Sequence, residues 1–329
     1  MAAEGARTPA AAPLEVSLVI PVRNEEWSLP ALISSIQAQT FPPAEVVIVD
    51  GGSDDGTVEL GRRLTEGDER FRFVEAGDAT PGRGRNVGTQ AARSEWVAYT
   101  DAGMHVEPTW LERLVREVGH DPSAEVVYGN YEPRGDTFFE RVAALAYVAP
   151  KRELPGGRMR PPSIASSLMR RDVWRRVGGF PDLRAAEDLI FMERIAQRGV
   201  ATRYAPEATV WWQLQPTLAR TFRKFVLYSK HNVWAGRQRF WHYGLARHYL
   251  VALIFVALAF VHSVWWLAVP SAGLLARAAK GVRLHREGRT LIWALNPARL
   301  LSVASVIVAV DFATFVGWAQ ALLSRPRQR

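Results

Sequence analysis

Four groups of polar side chains sit where they could do chemistry. Asp50 closes the run EVVIVD, Asp101 closes SEWVAYT, Glu187 and Asp188 stand in tandem before LIFMERIA, and Arg83 and Arg85 punctuate PGRGRNVG. A carboxylate at the C-terminal edge of a strand suits an octahedral Mg²⁺ or Mn²⁺ that bridges diphosphate oxygens. It equally suits a plain strand terminus. Two acids that open a helix either complement its dipole or supply a general base. The arginines of residues 81–88 either reach a phosphate bidentately or decorate a capped helix start. PGRGRNVG also looks like a dinucleotide fingerprint, but it does not follow the first strand, so a nicotinamide cofactor is set aside.

These groups need elements to hold them. EVSLVIPV (15–22) and EVVIVD (45–50) are β-branched runs without polar alternation, as buried parallel strands require. Between them Leu29, Leu32, Ile33 and Ile36 mark one face of a helix, with Ser28 placed as its N-cap. GGSDDGT (51–57) reads as a turn and a helix start capped by Asp54 or Asp55. Alternating strands and helices predict an α/β fold on an open parallel sheet, with ligands at the carboxyl ends of the strands. Arg23, Asn24, Glu25, Asp50 and Asp101 all follow such ends.

Composition narrows the class. The chain has 329 residues and no cysteine, which excludes a disulfide scaffold, a thiolate zinc site and a cysteine nucleophile. Its net charge of +8 is uneven: 16 of 41 basic residues but only two of 33 acids follow residue 215. Residues 1–215 therefore carry −6 and the remainder +14. A basic third of this kind points to an anionic membrane surface rather than to nucleic acid.

The apolar content is equally local. Tyr249–Ala276 holds no Asp, Glu, Lys or Arg, and Leu300–Ser324 is broken only by Asp311. Both exceed the roughly 20 apolar residues that cross a bilayer as a helix. The basic linker between them runs against the positive-inside bias. A hairpin turning near His262–Trp266 removes that conflict and gives three passes in place of two. Asp311 is either a functional intramembrane acid or half of an ion pair with an arginine. The expected organisation is a disordered lead (1–14), an α/β domain (15–215), a basic, aromatic interfacial segment (216–248) and a transmembrane region (249–329, with spans at 249–276 and 300–323). The lead has no apolar core of a signal peptide, so the α/β domain is expected in the cytosol.

Taken in order, VSLVIPVRNEE, VIVDGGSDDGT, PGRGRNVGTQAARSEWVAYTDAG and VGGF…AEDLIFMERIAQRG resemble the family-2 glycosyltransferases of the membrane-attached bacterial type. The resemblance covers residues 15–215 and implies a GT-A fold, a mostly parallel Rossmann-like sheet, followed by transmembrane helices. It implies an inverting enzyme at the cytosolic face of the bacterial inner membrane. A UDP- or GDP-linked sugar would be the donor, and a lipid or lipid-linked hydroxyl the acceptor. No nucleic-acid partner is implied.

Carried over residue by residue, Pro21, Arg23 and Glu25 line the nucleoside pocket, with Arg23 where an aromatic is frequent. Asp50, with Ile48 beside it, meets the base. Arg83, Arg85, Asn86 and Ala102 join the nucleotide-sugar site. The family's Asp-x-Asp metal motif falls on Asp101-Ala102-Gly103, so Asp101 alone would hold Mg²⁺ or Mn²⁺, with His105 or another acid assisting. Glu187 and Asp188 form the catalytic pair, Asp188 being the base. The competing reading is a non-catalytic membrane protein that kept the nucleotide-binding fold but lost metal function at Gly103.

Overall fold

The computed structural model describes residues 14–324, so most of the expected N-terminal lead and the arginines at 325–329 lie outside the described residues. Ten strands are present: β1 (Val16–Val22), β2 (Glu45–Asp50), β3 (Phe71–Glu75), β4 (Trp96–Tyr99), β5 (Met104–Val106), β6 (Val126–Arg134), β7 (Arg152–Leu154), β8 (Gly157–Met159), β9 (Ser167–Arg170) and β10 (Thr202–Gln213). Eight form one sheet in the order β3-β2-β1-β4-β9-β6-β10-β5, and β7 and β8 form a separate hairpin. The pairs β1–β2, β1–β4, β2–β3 and β6–β10 are parallel, as expected. The sequence reading did not anticipate β9, which runs antiparallel between β4 and β6.

The helices are α1 (Leu29–Gln37), α2 (Thr57–Leu64), α3 (Pro81–Ala91), α4 (Trp110–His120), α5 (Phe138–Tyr147), α6 (Arg171–Arg176), α7 (Glu187–Gln197), α8 (Leu218–Trp234), α9 (Gln238–Val261), α10 (Ala268–Leu284), α11 (Leu291–Ala294) and α12 (Pro297–Leu323). They cover both sheet faces. Side chains alternate across a strand, so Leu18 and Ile20 pack with Leu29, Leu32 and Ile36 of α1 and Trp110 of α4. Val19 points the other way, to Val49, Tyr99, Phe180 and Phe191. Each fully buried aliphatic contributes about 1.5–3 kcal/mol before entropy is charged against it. Ser28 does precede α1, but its hydroxyl donates to the Glu25 carboxylate and caps nothing. Asp55 does serve the next helix, accepting from Thr57 N at 3.0 Å.

The strand order places β1 between β2 and β4, so successive crossovers leave β1 in opposite directions. That reversal opens a crevice at the carboxyl ends of the strands, and the residues after β1, β2 and β4 face it.

Two C-terminal helices are long and apolar enough to cross a membrane: α9, with mean hydropathy 2.0, and α12, with 2.1. They differ in their surroundings. No residue in the apolar window of α9 is fully buried, whereas half of that of α12 is. Val303, Ala304, Val306 and Ile307 of α12 pack with Val142 of α5 and with Ala278 and Val282 of α10. Further along, Ser229 Oγ of α8 donates to Thr314 O at 2.6 Å, and the Trp234 indole donates to Ser324 O at 3.1 Å. Gly317 makes this approach possible, since a Cβ there would stand 2.3 Å from Val226 O. Asp311 is an ion-pair partner: Arg277 of α10 donates to it twice, at 2.6 and 3.1 Å, and Tyr249 of α9 once, at 3.0 Å.

Candidate active site

PGRGRNVG is the first two turns of a helix, not a phosphate-cradling loop. Thr80 caps α3 by accepting from Arg83 N at 3.2 Å, and Pro81 occupies the first turn, where its missing N–H costs nothing. The glycines serve close packing. A Cβ on Gly82 would lie 2.0 Å from Pro181 O, and one on Gly88 would lie 2.4 Å from Val19 Cγ1 of β1. The helix is thereby wedged between β1 and the loop that leads into α7.

Seated this way, α3 drives Arg85 into the crevice, where it is 4% exposed. Nη1 donates to Glu187 Oε1 at 2.7 Å and Nη2 to Asp101 Oδ1 at 2.6 Å. The guanidinium also lies 5.6 Å from the centre of the Phe180 ring. Burial opposes its charge, but Asp101, Glu187 and Asp188 outweigh that and hold it more firmly protonated than usual. Asn86, one residue on, spends its amide on structure: its Oδ1 accepts from Trp174 Nε1 and Phe180 N, both at 2.8 Å, and its Nδ2 donates to Phe180 O at 2.8 Å. Arg83 lies exposed on the outer side of α3.

Glu187 and Asp188, expected as the catalytic pair, open α7. Ala186, just before it, holds φ 68°, a left-handed conformation that costs a non-glycine residue about 1–2 kcal/mol. That turn sets Glu187 inward, 5% exposed, against Arg85. Burial pushes both carboxyls above the ordinary range, and for each the charge of Arg85 offsets this only in part. Asp188 Oδ1 accepts from Leu189 N at 2.8 Å.

The remaining residues form the opposite wall. Asn24, at φ 57°, exchanges hydrogen bonds with Asp54, 2.7 Å from Nδ2 and 3.0 Å to Oδ1, and so ties the loop after β1 to the loop after β2. Asp50 accepts from Gly52 N, Ser53 N and Ser53 Oγ, at 3.0, 3.1 and 2.6 Å. Glu25 is pushed up by burial, with Ser28 opposing, and the charge of Asp101 adds to the rise. Arg23 pairs with Asp78, and Pro21 packs under Gly84. Ile48 requires correction: it is fully buried in the core at the middle of β2, so no ligand can touch it. The methyl of Ala102 belongs to the same core and leaves only backbone to the crevice.

Asp101 keeps 37% of its side chain exposed, and Arg85 engages only its Oδ1. At Gly103 a Cβ would meet nothing within 4 Å. His105, on β5, has a buried Nδ1 without a hydrogen-bond partner. Among the described residues no cluster of three or more His, Asp or Glu could hold a metal by itself. A hydrated Mg²⁺ or Mn²⁺ shared with a diphosphate needs only one or two carboxylates, and Asp101 meets that requirement.

Sequence reasoning missed a third wall. Lys224 and Tyr228 on α8, spaced i and i+4, turn toward the crevice. Lys224 Nζ lies 4.8 Å from the Trp212 ring centre and 5.4 Å from that of Tyr228. Burial lowers its pKa while the charges of Asp101 and Glu25 pull it back up. Tyr228 is pushed up by burial and by the surrounding Asp188, Asp101 and Glu187. His231, one turn further, is pushed down to about 4 by burial, helped by Arg184 and Lys230. The only sequence signal was the 3.6-residue period of Lys224, Tyr228 and His231, which was lost in a segment read as lipid-facing.

Residues 17–176 match the Glycosyl transferase family 2 profile. The matched residues make up just under half of the chain, a likeness to the family 2 glycosyltransferases. Glycosyltransferase AglE of Haloferax volcanii is 27% identical over 197 residues, covering 58% of this chain and 64% of AglE. Putative glycosyltransferase EpsH of Bacillus subtilis is 30% identical over 140 residues, covering 41% of this chain and 40% of EpsH. The chain thus spans less than two thirds of either relative. Among solved structures, the mannosyltransferase PcManGT of Pyrobaculum calidifontis, in complex with GDP-Man and Mn²⁺, has a TM-score of 0.55 at 21% identity and covers 93% of this chain and 88% of its own. That likeness shows a GT-A-like fold.

Proposed function

We propose that this protein is an inverting family 2 glycosyltransferase that moves a sugar from a UDP- or GDP-linked donor to a hydroxyl of a lipid or lipid-linked acceptor at the cytosolic face of a bacterial inner membrane. The observation that carries the reading is the bridge by which Arg85 joins Asp101 to Glu187, next to Asp188, inside the sheet crevice. The left-handed turn at Ala186 and the second, desolvated carboxyl of Asp188 beside the bridge support this reading.

The residues divide the work. Pro21, Arg23, Glu25 and Asp50 border the nucleoside end. Asp101 is the residue to hold Mg²⁺ or Mn²⁺, whose charge, when bound, would neutralise the departing diphosphate. The donor complex of PcManGT supports both the nucleotide-sugar and the metal. Arg85 and Lys224 add fixed positive charge where the diphosphate leaves. Asp188, made a stronger base by burial, takes the proton of the acceptor hydroxyl. The hydroxyl oxygen forms its bond to the anomeric carbon from the face opposite the diphosphate, and the old carbon–oxygen bond breaks with its electron pair going to the nucleoside diphosphate. Glu187 holds Arg85 in place.

The C-terminal helices support a lipid acceptor. Residues 216–248 bring α8 against the crevice, and 249–323 supply the bare apolar surface of α9, so a headgroup held at a membrane surface meets Asp188 across α8. The test is a screen of UDP- and GDP-sugars with purified protein, Mn²⁺ and a membrane lipid extract. Mass analysis should show one sugar added to a lipid, and the product's anomeric configuration should be inverted. A retained configuration, or no transfer from any donor, overturns the reading.

A further inference from the structure

Tyr249 and Arg277 meet on one residue, Asp311, at the middle of α12. Before Tyr249, α9 lies along the C-terminal half of α12, with the rings of His242 and Tyr243 against Trp318. After Arg277, α10 lies along the N-terminal half, with Ala278 and Val282 in the cluster of Val303, Val306 and Ile307. Everything between, residues 250–276, is a helical hairpin that leaves α12 at Asp311 and comes back to it. It turns at residues 262–267, where the sequence placed the turn.

The hairpin is apolar, exposed and capped by its own bonds. Phe260 and Val261 are each 87% exposed and Trp265 81%. At the tip Ser263 caps Trp265 N, and Trp266 Nε1 donates to His262 Nδ1 at 3.4 Å. Charge begins only at its foot, where Arg239, Arg247, Lys280 and Arg283 are exposed. Beside the foot, Arg158, Arg283, Arg286 and Glu287 line a cavity of about 470 Å³. An apolar finger above a basic collar matches an anionic lipid leaflet.

Lengths decide how far it goes. The outgoing limb, Leu250–Val261, reaches about 18 Å, and the returning limb, Ala268–Ala276, about 14 Å, at 1.5 Å per residue. A hydrocarbon core is about 30 Å thick. The finger reaches the depth of one leaflet. α12 has the length to cross, yet α5 and α8 of the catalytic side lie along it from Val303 to Ser324, which leaves exposed only a stripe that includes Leu301, Val308 and Phe312.

Resting on the membrane attachment proposed above, we propose that the 250–276 hairpin enters one leaflet from the catalytic side and returns to that side, with α12 lying along the membrane surface beneath the catalytic domain. The protein's lack of cysteine makes the test direct. Glu66→Cys on the catalytic domain and Val264→Cys at the tip are each expressed in the full chain, and a membrane-impermeant maleimide is applied to spheroplasts and to inverted vesicles. Glu66→Cys should label from one face only. Val264→Cys should label from neither face until detergent is added. Labelling of Val264→Cys from the face opposite Glu66→Cys overturns the inference and shows a crossing. Labelling from the same face shows a finger outside lipid and also overturns it. Recovery of the chain in the soluble fraction would sink the membrane reading itself.

Discussion

Arg85 Nη1 stands 2.7 Å from Glu187 Oε1, a buried ion pair between residues 102 positions apart in sequence. It fastens the start of α7 to the start of α3, and the second amino group of Arg85 extends the pair to Asp101. Through this one side chain α3, α7 and the end of β4 are joined.

Replacing Arg85 tests that role. Arg85→Met leaves the Glu187 charge buried without its partner and should cost about 3–5 kcal/mol of stability, read as a lower urea midpoint. Adding Glu187→Gln should restore most of that loss. Transfer activity should stay about 10²–10³-fold down in both variants. Recovery of activity along with stability would make the pair structural only.

The pH profile reports on Asp188. Its carboxyl is raised by burial, with Arg85 opposing, so the protonated, inactive form persists above the usual aspartate value of about 3.9. Activity should fall as pH drops through that raised value. In Arg85→Met the opposing charge is gone, and the acid limb of kcat should move further toward neutral. An unmoved limb would dissociate Asp188 from catalysis.

Gly103 has room for a side chain. Gly103→Asp would supply the missing second carboxylate and should lower the Mn²⁺ concentration for half-maximal activity about tenfold, because charge count tunes such sites. A higher Mn²⁺ requirement would place the metal elsewhere.

Lys224 was invisible as a site residue until α8 was seen against the crevice. Lys224→Met keeps most of the side-chain volume and removes the charge beside Asp101 and Glu25. It should lower kcat/KM about 10–100-fold through loss of electrostatic stabilisation, with the thermal midpoint little changed. Unchanged kinetics would return Lys224 to a packing role.

The contrast between Asp188 and Lys224 marks what sequence could reveal. β1 and β2 were legible because their β-branched runs admit no other packing, and Asp50, Asp101 and Glu187 were legible because they sit at strand and helix ends. β9 was not, since four residues reading SLMR do not declare a direction. Ile48 was misplaced because it lies mid-strand among the core side chains that α1 covers, two residues short of Asp50 at the strand's open end. Lys224, Tyr228 and His231 shared a helix face, but a periodicity says nothing of which neighbour covers it. Length and apolar content marked α12 as long enough to cross a membrane, but not that α5 and α8 lie along it.

The central claim is that Asp188 is the base of an inverting transfer. Its most direct test is the single-turnover rate of Asp188→Asn with saturating donor and acceptor, beside the donor dissociation constant. The rate should fall about 10²–10⁴-fold while donor affinity stays within about twofold. Transfer at the unaltered rate would contradict the account.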